Sequence, residues 1–262
     1  MIQGLRPAAI AAAALSLAAC AMLPQLRPAP TDASLATNPL PTKLTGYLKV
    51  GEIDGASLLG PPPAETSLRG QADRALYNET RSQQGSARWT QAIKDNDIWG
   101  GTALKSFACA AGKDVGPKAT PNLYRLLERV ELDVRTVGKP AKDHYGRLRP
   151  LIGNDQPICI PREDWMKTNA SYPSGHAMVG WSWGLILAEL EPGRTDGLMA
   201  AGKQVGDSRV ICGVHFQSDI EAGRTLASAM VARLHGDPEF QRDLAAARKE
   251  LAKAPAMSCP AA

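Results

Sequence analysis

The sequence is poor in aromatic residues and shows no regular strand-like alternation of apolar and polar positions. Aromatic residues make up only 5% of the 262 residues, and most of the apolar content comes from Ala, Leu, Val and Ile. This composition suits helices better than a β-sandwich or barrel, in which β-branched and aromatic residues are richer. There are no internal repeats, and a chain of this length supports one sizeable core more readily than two. We therefore expect an all-α fold with a single helical-bundle domain.

Long apolar runs and strong charge are also missing. The most apolar segment, Ala177 to Leu190, is only about two-thirds of the roughly 20 residues that a membrane-spanning helix needs. The formal net charge is +4, and the basic residues are scattered except in one cluster. These features predict a soluble domain and give no reason to expect nucleic acid as a specific partner.

The first twenty residues have the layout of a secretory signal, because Arg6 precedes a short apolar run that is followed by small residues. The run ends in Leu-Ala-Ala-Cys20, which resembles the cleavage box of bacterial lipoproteins. This predicts lipidation and membrane attachment at Cys20, with ordinary cleavage after Ala21 as the alternative. In both cases we expect the mature protein to be exported to the periplasm.

The cysteine pattern gives no C-x-x-C pair, so neither a zinc site nor a thioredoxin-like motif is supported. If Cys20 is lipidated, four cysteines remain: Cys109, Cys159, Cys212 and Cys259. An oxidising compartment permits two disulfides among them, in any of three connectivities. A free, buried Cys212 in its apolar run is an equally good alternative.

Composition divides the chain into segments. After the signal at residues 1–20, residues 21–65 are rich in Pro and small polar residues and predict a linker and irregular approach. Helical periodicity then extends over residues 66–253, the predicted catalytic domain, and residues 254–262 form a C-terminal tail.

Within this domain, glycine and proline mark helix boundaries. We predict a helix break near Gly85, helix ends at Gly112 and Gly138, and a helix start at Pro121.

The first cluster of functional interest is the basic segment KDHYGRLRP. Lys142 and Arg149 are seven residues apart, close to two helical turns, so both would project from one face of a helix that Pro150 stops. Two cations on one helical face, with no carboxylate between them on that face, suit an oxyanion. The alternative is a solvated basic face, which is the better interpretation of this cluster alone.

The second cluster is the turn Pro-Ser-Gly-His that precedes the most apolar segment. Ser174 is a good N-cap, Gly175 lets the backbone approach a ligand closely, and the N–H groups of a helix start bind anions. His176 would lie beside that anion, which would favour its imidazolium form. A simple capping turn is the alternative.

The third cluster is SRVICGVHFQSD. His215 and Asp219 are four residues apart, so on a helix the carboxylate would accept a hydrogen bond from one imidazole nitrogen and turn the other outward as a base or nucleophile. Arg209, predicted at the preceding bend or helix end, offers a third cation. The alternative is an idle surface His–Asp pair.

Together the clusters supply three cations, a helix N-terminus and two histidines, which is the inventory that phosphoryl transfer needs. No acidic D-x-D metal cage accompanies them, so the cations would hold the phosphate in place of Mg²⁺. We expect no metal and no cofactor.

These three motifs, in this order and with these gaps, resemble the signature of the type-2 phosphatidic acid phosphatase superfamily. The stretches SYPSGHAMVGW, SRVICGVHFQSD and LHGDPEFQRDLAAARKE are more similar to its bacterial class A non-specific acid phosphatases, over roughly residues 66–253. The resemblance implies a metal-independent acid phosphatase that hydrolyses small-molecule phosphomonoesters over a broad range, with phosphotransfer to other alcohols as a further activity.

The resemblance also implies roles for individual residues. His215 would be the nucleophile that forms a phosphohistidine, Asp219 would orient it, and His176 would protonate the leaving alcohol. The phosphate would be held by the remaining motif residues: Lys142, Arg149, Ser174, Gly175 and Arg209. The other two histidines, His144 and His235, match no catalytic position.

Two other functions remain open. The vanadate-dependent haloperoxidases resemble the same superfamily, and an exported lipoprotein that only binds phosphate would keep the cations without any chemistry. The sequence also leaves open a homodimer and the identity of the physiological substrate.

Overall fold

A computed structural model describes Met1, residues 44–98 and residues 101–259. The predicted signal, Cys20 and the part of the linker before residue 44 lie outside these residues. The described part confirms the all-α prediction, since apart from two 3-10 turns and one isolated bridge between Lys113 and Ala256 its regular structure is α-helix. The helices are α1 (Gly55–Leu59), α2 (Leu68–Thr80), α3 (Ala87–Asn96), α4 (Leu104–Ala111), α5 (Pro121–Tyr145), α6 (Trp165–Thr168), α7 (Gly175–Leu190), α8 (Thr195–Ile211), α9 (Gln217–Leu234) and α10 (Pro238–Leu251).

Helix α7 lies at the centre of the domain, where it packs against α5, α8 and α9. It is apolar around most of its circumference, which is typical of a buried helix, and Ile186 and Leu187 are fully buried. At its crossing with α8, a side chain on Gly202 would lie 2.6 Å from the carbonyl oxygen of Gly180. Glycine at both positions therefore lets the two backbones touch, which fixes where α7 begins.

Residues 44–65 are mostly irregular apart from α1, and they are packed on the domain. Tyr47 and Leu48 belong to the main hydrophobic core. The backbone N–H of Leu48 donates to the buried carboxylate of Asp133 at 2.8 Å, and the Tyr47 hydroxyl donates to Asp243 at 2.8 Å. The apolar pair in an otherwise Pro-rich stretch is what holds this segment down.

The C-terminal tail is also held. The N–H of Asp114 donates to the carbonyl of Pro255 at 2.8 Å, and the N–H of Met257 donates to that of Gly112 at 3.0 Å. A disulfide between Cys109 and Cys259 closes this contact.

The second disulfide joins Cys159 to Cys212, so the alternative of a free Cys212 is wrong. Cys212 directly follows α8, three residues after Arg209 and three before His215. This disulfide therefore ties the loop between two predicted site residues to the segment at Cys159.

Most predicted helix boundaries are confirmed. Gly85 (φ 79°) and Gly112 (φ 66°) adopt the left-handed backbone that ends helices, and Pro121 begins α5. Gly138 does not end a helix, since α5 continues through it and Pro140 to Tyr145. A Cβ at Gly138 would lie 3.0 Å from the sulfur of Met178, so the glycine serves the close packing of α7 against α5.

None of the helices in the described residues is long and apolar enough to cross a membrane.

Candidate active site

A cavity of about 690 Å³ opens where the end of α5, the start of α7, the end of α8 and the loop before α9 meet. Six of the eight residues that the motifs predict line it: Lys142, Arg149, Gly175, His176, Arg209 and His215. The other two, Ser174 and Asp219, lie behind the wall and are fully buried. The structure thus brings three distant stretches of sequence to one site.

The sequence spacing predicted that Lys142 and Arg149 share one helical face, and this prediction is wrong. Helix α5 ends at Tyr145, and Gly146 turns the chain with a left-handed backbone (φ 57°). Lys142 lies in the last helical turn, where its ammonium donates to the carbonyl of Ala170 at 2.6 Å. Arg149 comes from the non-helical segment beyond, so the turn at Gly146 directs both cations to one cavity.

The Arg149 guanidinium is fixed on several sides. Its Nε donates to the Asn169 carbonyl at 2.9 Å and its Nη1 to the Val214 carbonyl at 3.1 Å. Nη1 also lies 3.2 Å from Nε2 of His215, and the guanidinium faces the ring of Trp165 at 5.2 Å. Arg149 is therefore a buried, preoriented cation next to the predicted nucleophile.

The Pro-Ser-Gly-His turn caps α7 as predicted. The Ser174 hydroxyl accepts from the N–H of Ala177 at 3.4 Å, and the Ser174 N–H donates to the backbone carbonyl of Asp219 at 3.0 Å. The second bond joins the start of α7 to the first turn of α9. Ser174 therefore shapes the predicted anion site from behind the cavity wall, while Gly175 lines the cavity.

His215 and Asp219 were predicted to lie on one helix, but only Asp219 is helical. His215 precedes α9, Phe216 is the N-cap, and Asp219 is the third helical residue. Asp219 Oδ2 accepts from the N–H of Phe216 at 2.8 Å and lies 3.4 Å from Nδ1 of His215. The Asp219 carboxylate thus approaches the His215 imidazole because it caps the start of α9, and not because the two residues are four apart on one helix.

The hydrogen bonds around His215 define which nitrogen faces the cavity. Ser171 Oγ lies 2.5 Å from Asp219 Oδ2 and 3.2 Å from His215 Nδ1. Because the ionised carboxylate only accepts, the Ser171 hydroxyl donates to it and offers its lone pairs to Nδ1–H. This tautomer leaves Nε2 of His215 with a lone pair on the side of Arg149.

Arg147, which the sequence analysis did not single out, fixes the Asp219 carboxylate on the side away from His215. Its Nη1 donates to Asp219 Oδ1 at 2.6 Å and to Ser218 Oγ at 2.7 Å, and its Nη2 donates to Asp73 Oδ2 at 2.9 Å. The side chain of Arg147 is 10% exposed and those of the two carboxylates 4% or less. Asp219 is therefore paired with a buried cation that is itself shared with a second carboxylate from α2.

Arg209 and His176 meet at Asn96, the last residue of α3. Arg209 lies in the last turn of α8, as predicted, and its Nη1 donates to Asn96 Oδ1 at 2.7 Å. Nε2 of His176 lies 3.0 Å from the Asn96 carbonyl, which only accepts, so Nε2 carries the hydrogen and Nδ1 is free to titrate. The Nε of Arg209 is buried and has no hydrogen-bond partner among the described residues.

Burial is the main influence on protonation of the cations. It lowers the pKa of Lys142 to about 7 with a further contribution from Arg149, that of Arg149 to about 10, and that of Arg209 to about 9. The guanidinium groups are thus charged at neutral pH, whereas Lys142 titrates there.

Burial also lowers the pKa of both histidines well below 6.5, reinforced by Arg209 at His176 and by Arg149 at His215. A bound phosphate opposes this effect, so the expected imidazolium at His176 stays a prediction for the substrate complex.

The remaining histidines lie away from the cavity. His144 is exposed and packs on Tyr145, and His235 lies 3.2 Å from Glu189 and packs on Phe240. Within residues 44–98 and 101–259 there is no group of three or more His, Cys, Asp or Glu side chains that could hold a metal ion.

The chain is similar to proteins of known family. The family model described as the PAP2 superfamily matches residues 134–241. The chain is 41% identical over 198 residues to an acid phosphatase of Zymomonas mobilis, which covers 75% of this chain and 75% of that protein. It is 39% identical over 210 residues to a non-specific acid phosphatase of Providencia stuartii (79% and 85% covered) and 36% identical over 205 residues to one of Salmonella typhimurium (76% and 80%).

Among solved structures, the chain resembles a transmembrane PAP2-type phosphatidylglycerolphosphate phosphatase of Bacillus subtilis at 19% identity and a TM-score of 0.48, over 71% of this chain and 92% of that one. The motifs, the cavity that they share and the relatives agree: the chain belongs to the PAP2 superfamily and, within it, to the family of the bacterial acid phosphatases.

Proposed function

We propose that this protein is a metal-independent acid phosphatase that hydrolyses small-molecule phosphomonoesters through a phosphohistidine at His215. The observation that carries the proposal is the setting of His215, whose Nδ1 faces Asp219 and Ser171 while its Nε2 lies 3.2 Å from Arg149 at a cationic cavity. Relatives named acid phosphatase support the reaction class.

In the first half-reaction, Nε2 of His215 attacks phosphorus, the N–P bond forms and the P–O bond to the leaving alcohol breaks. The Nδ1–H then carries the positive charge of the phosphorylated ring toward Asp219. Nη1 of Arg149 exchanges its contact with Nε2 for a phosphate oxygen. Lys142, Arg209 and the N–H groups at Gly175 neutralise the equatorial oxygens.

His176 supplies the proton that the leaving alkoxide needs, from Nδ1, while its Nε2–H stays on the Asn96 carbonyl. In the second half-reaction water attacks phosphorus, the N–P bond breaks and the water proton returns to Nδ1 of His176. Another alcohol in place of water gives phosphotransfer by the same steps.

The acid preference follows from Lys142 and His176 together. Lys142, whose burial lowers its pKa to about 7, is charged below that value and loses its proton above it. His176 donates only when protonated. Rising pH therefore removes both a phosphate ligand and the general acid.

Export and lipidation belong to the same proposal. The two disulfides, Cys109–Cys259 and Cys159–Cys212, suit the oxidising periplasm, and the sequence of residues 1–20 suits a secretory signal with lipidation at Cys20. Mass spectrometry of the mature N-terminus separates a diacylglycerol-modified Cys20 from cleavage after Ala21. Light scattering separates a monomer from the homodimer that the sequence leaves open.

Hydrolysis of a chromogenic phosphomonoester by the mature protein in the presence of a chelator tests the function. We expect turnover that His215→Ala reduces by at least about 10³-fold, with unchanged thermal unfolding. Full activity in His215→Ala would remove the phosphohistidine mechanism. Oxidation of halide by hydrogen peroxide only when vanadate is added, or phosphate binding without any hydrolysis, would favour the two other functions.

A further inference from the structure

The cavity extends well beyond the phosphate end along α5. On that helix it is lined by residues at helical spacing, from Glu131 through Val134, Arg135, Gly138 and Lys139 to Lys142. Eleven residues separate the first from the last, which places their Cα atoms about 16 Å apart at 1.5 Å per residue. A volume of about 690 Å³ lies in the range of pockets that hold drug-sized ligands. The cavity therefore has room for a long leaving group besides the phosphate.

The wall between the two ends is largely apolar on the side of α7. Met178 and Val179 line it next to Val134 of α5, and all three are buried. Farther along α7, Trp183 borders a smaller adjoining cavity together with Glu131. Both helices thus lead from the phosphate end to Glu131 through apolar surroundings.

Glu131 is a buried carboxyl group that does not stabilise the fold. It is only 2% exposed, and its Oε1 is buried without a hydrogen-bond partner among the described residues. An unsatisfied buried polar group destabilises the fold by about 1–3 kcal/mol, so the fold gains nothing from a carboxyl group here. The mechanism proposed above does not use it either.

Burial keeps the Glu131 carboxyl group neutral under acid conditions. Burial raises the pKa of Glu131 to about 8, Glu128 raises it further, and Arg135 lowers it. A neutral carboxyl group both donates and accepts a hydrogen bond, so it can pair with a hydroxyl or an amino group.

We propose that Glu131 is a specificity-determining residue, whose carboxyl group hydrogen-bonds a hydroxyl or amino group at the far end of the leaving alcohol. This inference rests on the proposed phosphatase function. It names the favoured substrates by chemistry: phosphomonoesters of extended alcohols with an apolar middle and a polar far end. Short alcohols do not reach Glu131, so the enzyme treats them alike whatever their far end carries.

A ladder of substrates tests the proposal. Each rung pairs the monophosphate of an α,ω-alkanediol with the alkyl monophosphate of equal length, from two carbons up to the longest chain that is hydrolysed. The measured quantity is the ratio of kcat/KM between the two members of a rung. Because the ratio is taken within one variant, any general loss of activity cancels.

For the wild-type protein we expect a ratio near one on short rungs and a rise of roughly 3- to 10-fold at the length that reaches Glu131. Glu131→Gln keeps a donor and an acceptor in a neutral group and keeps the rise, whereas Glu131→Leu abolishes it. Glu128→Leu removes a neighbouring carboxyl group on α5 that lines only the smaller adjoining cavity. Assayed under acid conditions, where Glu131 is neutral with or without Glu128, it is the matched control and keeps the wild-type ratio.

A flat ratio along the whole ladder in the wild-type protein, or a rise that survives in Glu131→Leu, overturns the proposal. Failure of the proposed function looks different, because then no rung is hydrolysed at all. The thermal midpoint gives a second readout: Glu131→Leu is expected to unfold at a higher temperature, and a lower midpoint would mean that Glu131 has a structural partner.

Discussion

The two ends of the cavity are built in opposite ways. At the phosphate end, Lys142, Arg149 and Arg209 are each held by a hydrogen bond to a fixed oxygen of Ala170, Asn169 or Asn96. At the other end the Oε1 of Glu131 has no such partner within the described residues, and the rim residue Lys139 is 71% exposed.

On the proposed function, this difference separates the end of the cavity where the reaction takes place from the end that recognises the leaving group. Every phosphomonoester presents the same charge in the same geometry, so rigid cations stabilise it at little reorganisation energy. Leaving groups differ in size and polarity, and an apolar wall with one neutral acid tolerates many of them. Substitutions at the phosphate end should therefore affect all substrates equally, and those at the far end only some.

The largest effect on this comparison is expected from Arg147, which lies behind the phosphate end. Arg147→Met leaves Asp219 and Asp73 buried without their shared cation. We expect kcat to fall roughly 10²- to 10⁴-fold on every substrate and the free energy of unfolding to fall by about 3–5 kcal/mol.

Steady-state kinetics and denaturant unfolding measure the two quantities. Arg147→Lys, which keeps the charge but not the fork that bridges both carboxylates, should lie between the wild-type protein and Arg147→Met. A folded Arg147→Met variant with kcat within twofold of the wild-type value would show that Asp219 does not need this cation.

The next effect concerns Lys142 and pH. With its pKa lowered to about 7, Lys142 is charged at pH 6 and largely neutral at pH 8. One proton is lost from Lys142 and one from His176, so the slope of log kcat/KM against pH should approach about −2 above pH 7. Lys142→Arg keeps its charge and should reduce the slope to about −1. Identical slopes in the two proteins would exclude Lys142 as a titrating phosphate ligand.

Removing each disulfide in turn should have a smaller effect on kcat, and it separates the effect on the site from the effect on stability. Loops of 53 and 150 residues predict that Cys159–Cys212 and Cys109–Cys259 stabilise the fold by about 4 and about 5 kcal/mol. Only Cys212 lies between Arg209 and His215. The double Ser variant of Cys159 and Cys212 should therefore lose several-fold in kcat below its unfolding temperature, whereas that of Cys109 and Cys259 should lose stability alone. Equal kcat losses would show that Cys159–Cys212 does not position the site.

The smallest effect is expected at the rim of the far end. Lys139 forms an exposed ion pair with Asp143, and such pairs are screened by salt. Lys139→Ala should change KM by less than about twofold for short and long substrates alike. A larger change that vanishes at high salt would mean that rim charges also attract the substrate.

The sequence predicted residues that the structure brings to one cavity, but it did not predict their geometry. Lys142, His176, Arg209 and His215 stand in motifs whose residue types indicate the chemistry. Helical spacing was the wrong reason for two of the pairings, because helix α5 ends at Gly146 and α9 begins only after His215. A left-handed turn and a capping carboxylate, which depend on the backbone, bring the pairs together.

The residues that sequence reasoning missed act through contacts that no spacing reveals. Ser171 and Asp73 reach Asp219 and Arg147 across 48 and 74 residues of sequence. Arg147 had only a weak signal in the sequence, where Arg and Leu alternate as in an extended segment rather than a helix. In the structure Leu148 is 63% exposed between two mostly buried arginines. Glu131 had none, since a glutamate on an amphipathic helix is usually a surface residue.

In the proposed mechanism, His215 becomes phosphorylated during turnover. The most direct measurement uses a phosphomonoester whose non-bridging phosphoryl oxygens carry ¹⁸O. The reaction is quenched within one turnover in base, where phosphohistidine survives, and the label is located by peptide mass spectrometry. We expect one labelled phosphoryl group on the peptide that contains His215, and none on the corresponding peptide of His215→Ala. A labelled peptide elsewhere in the chain, or complete turnover without any labelled peptide, would contradict it.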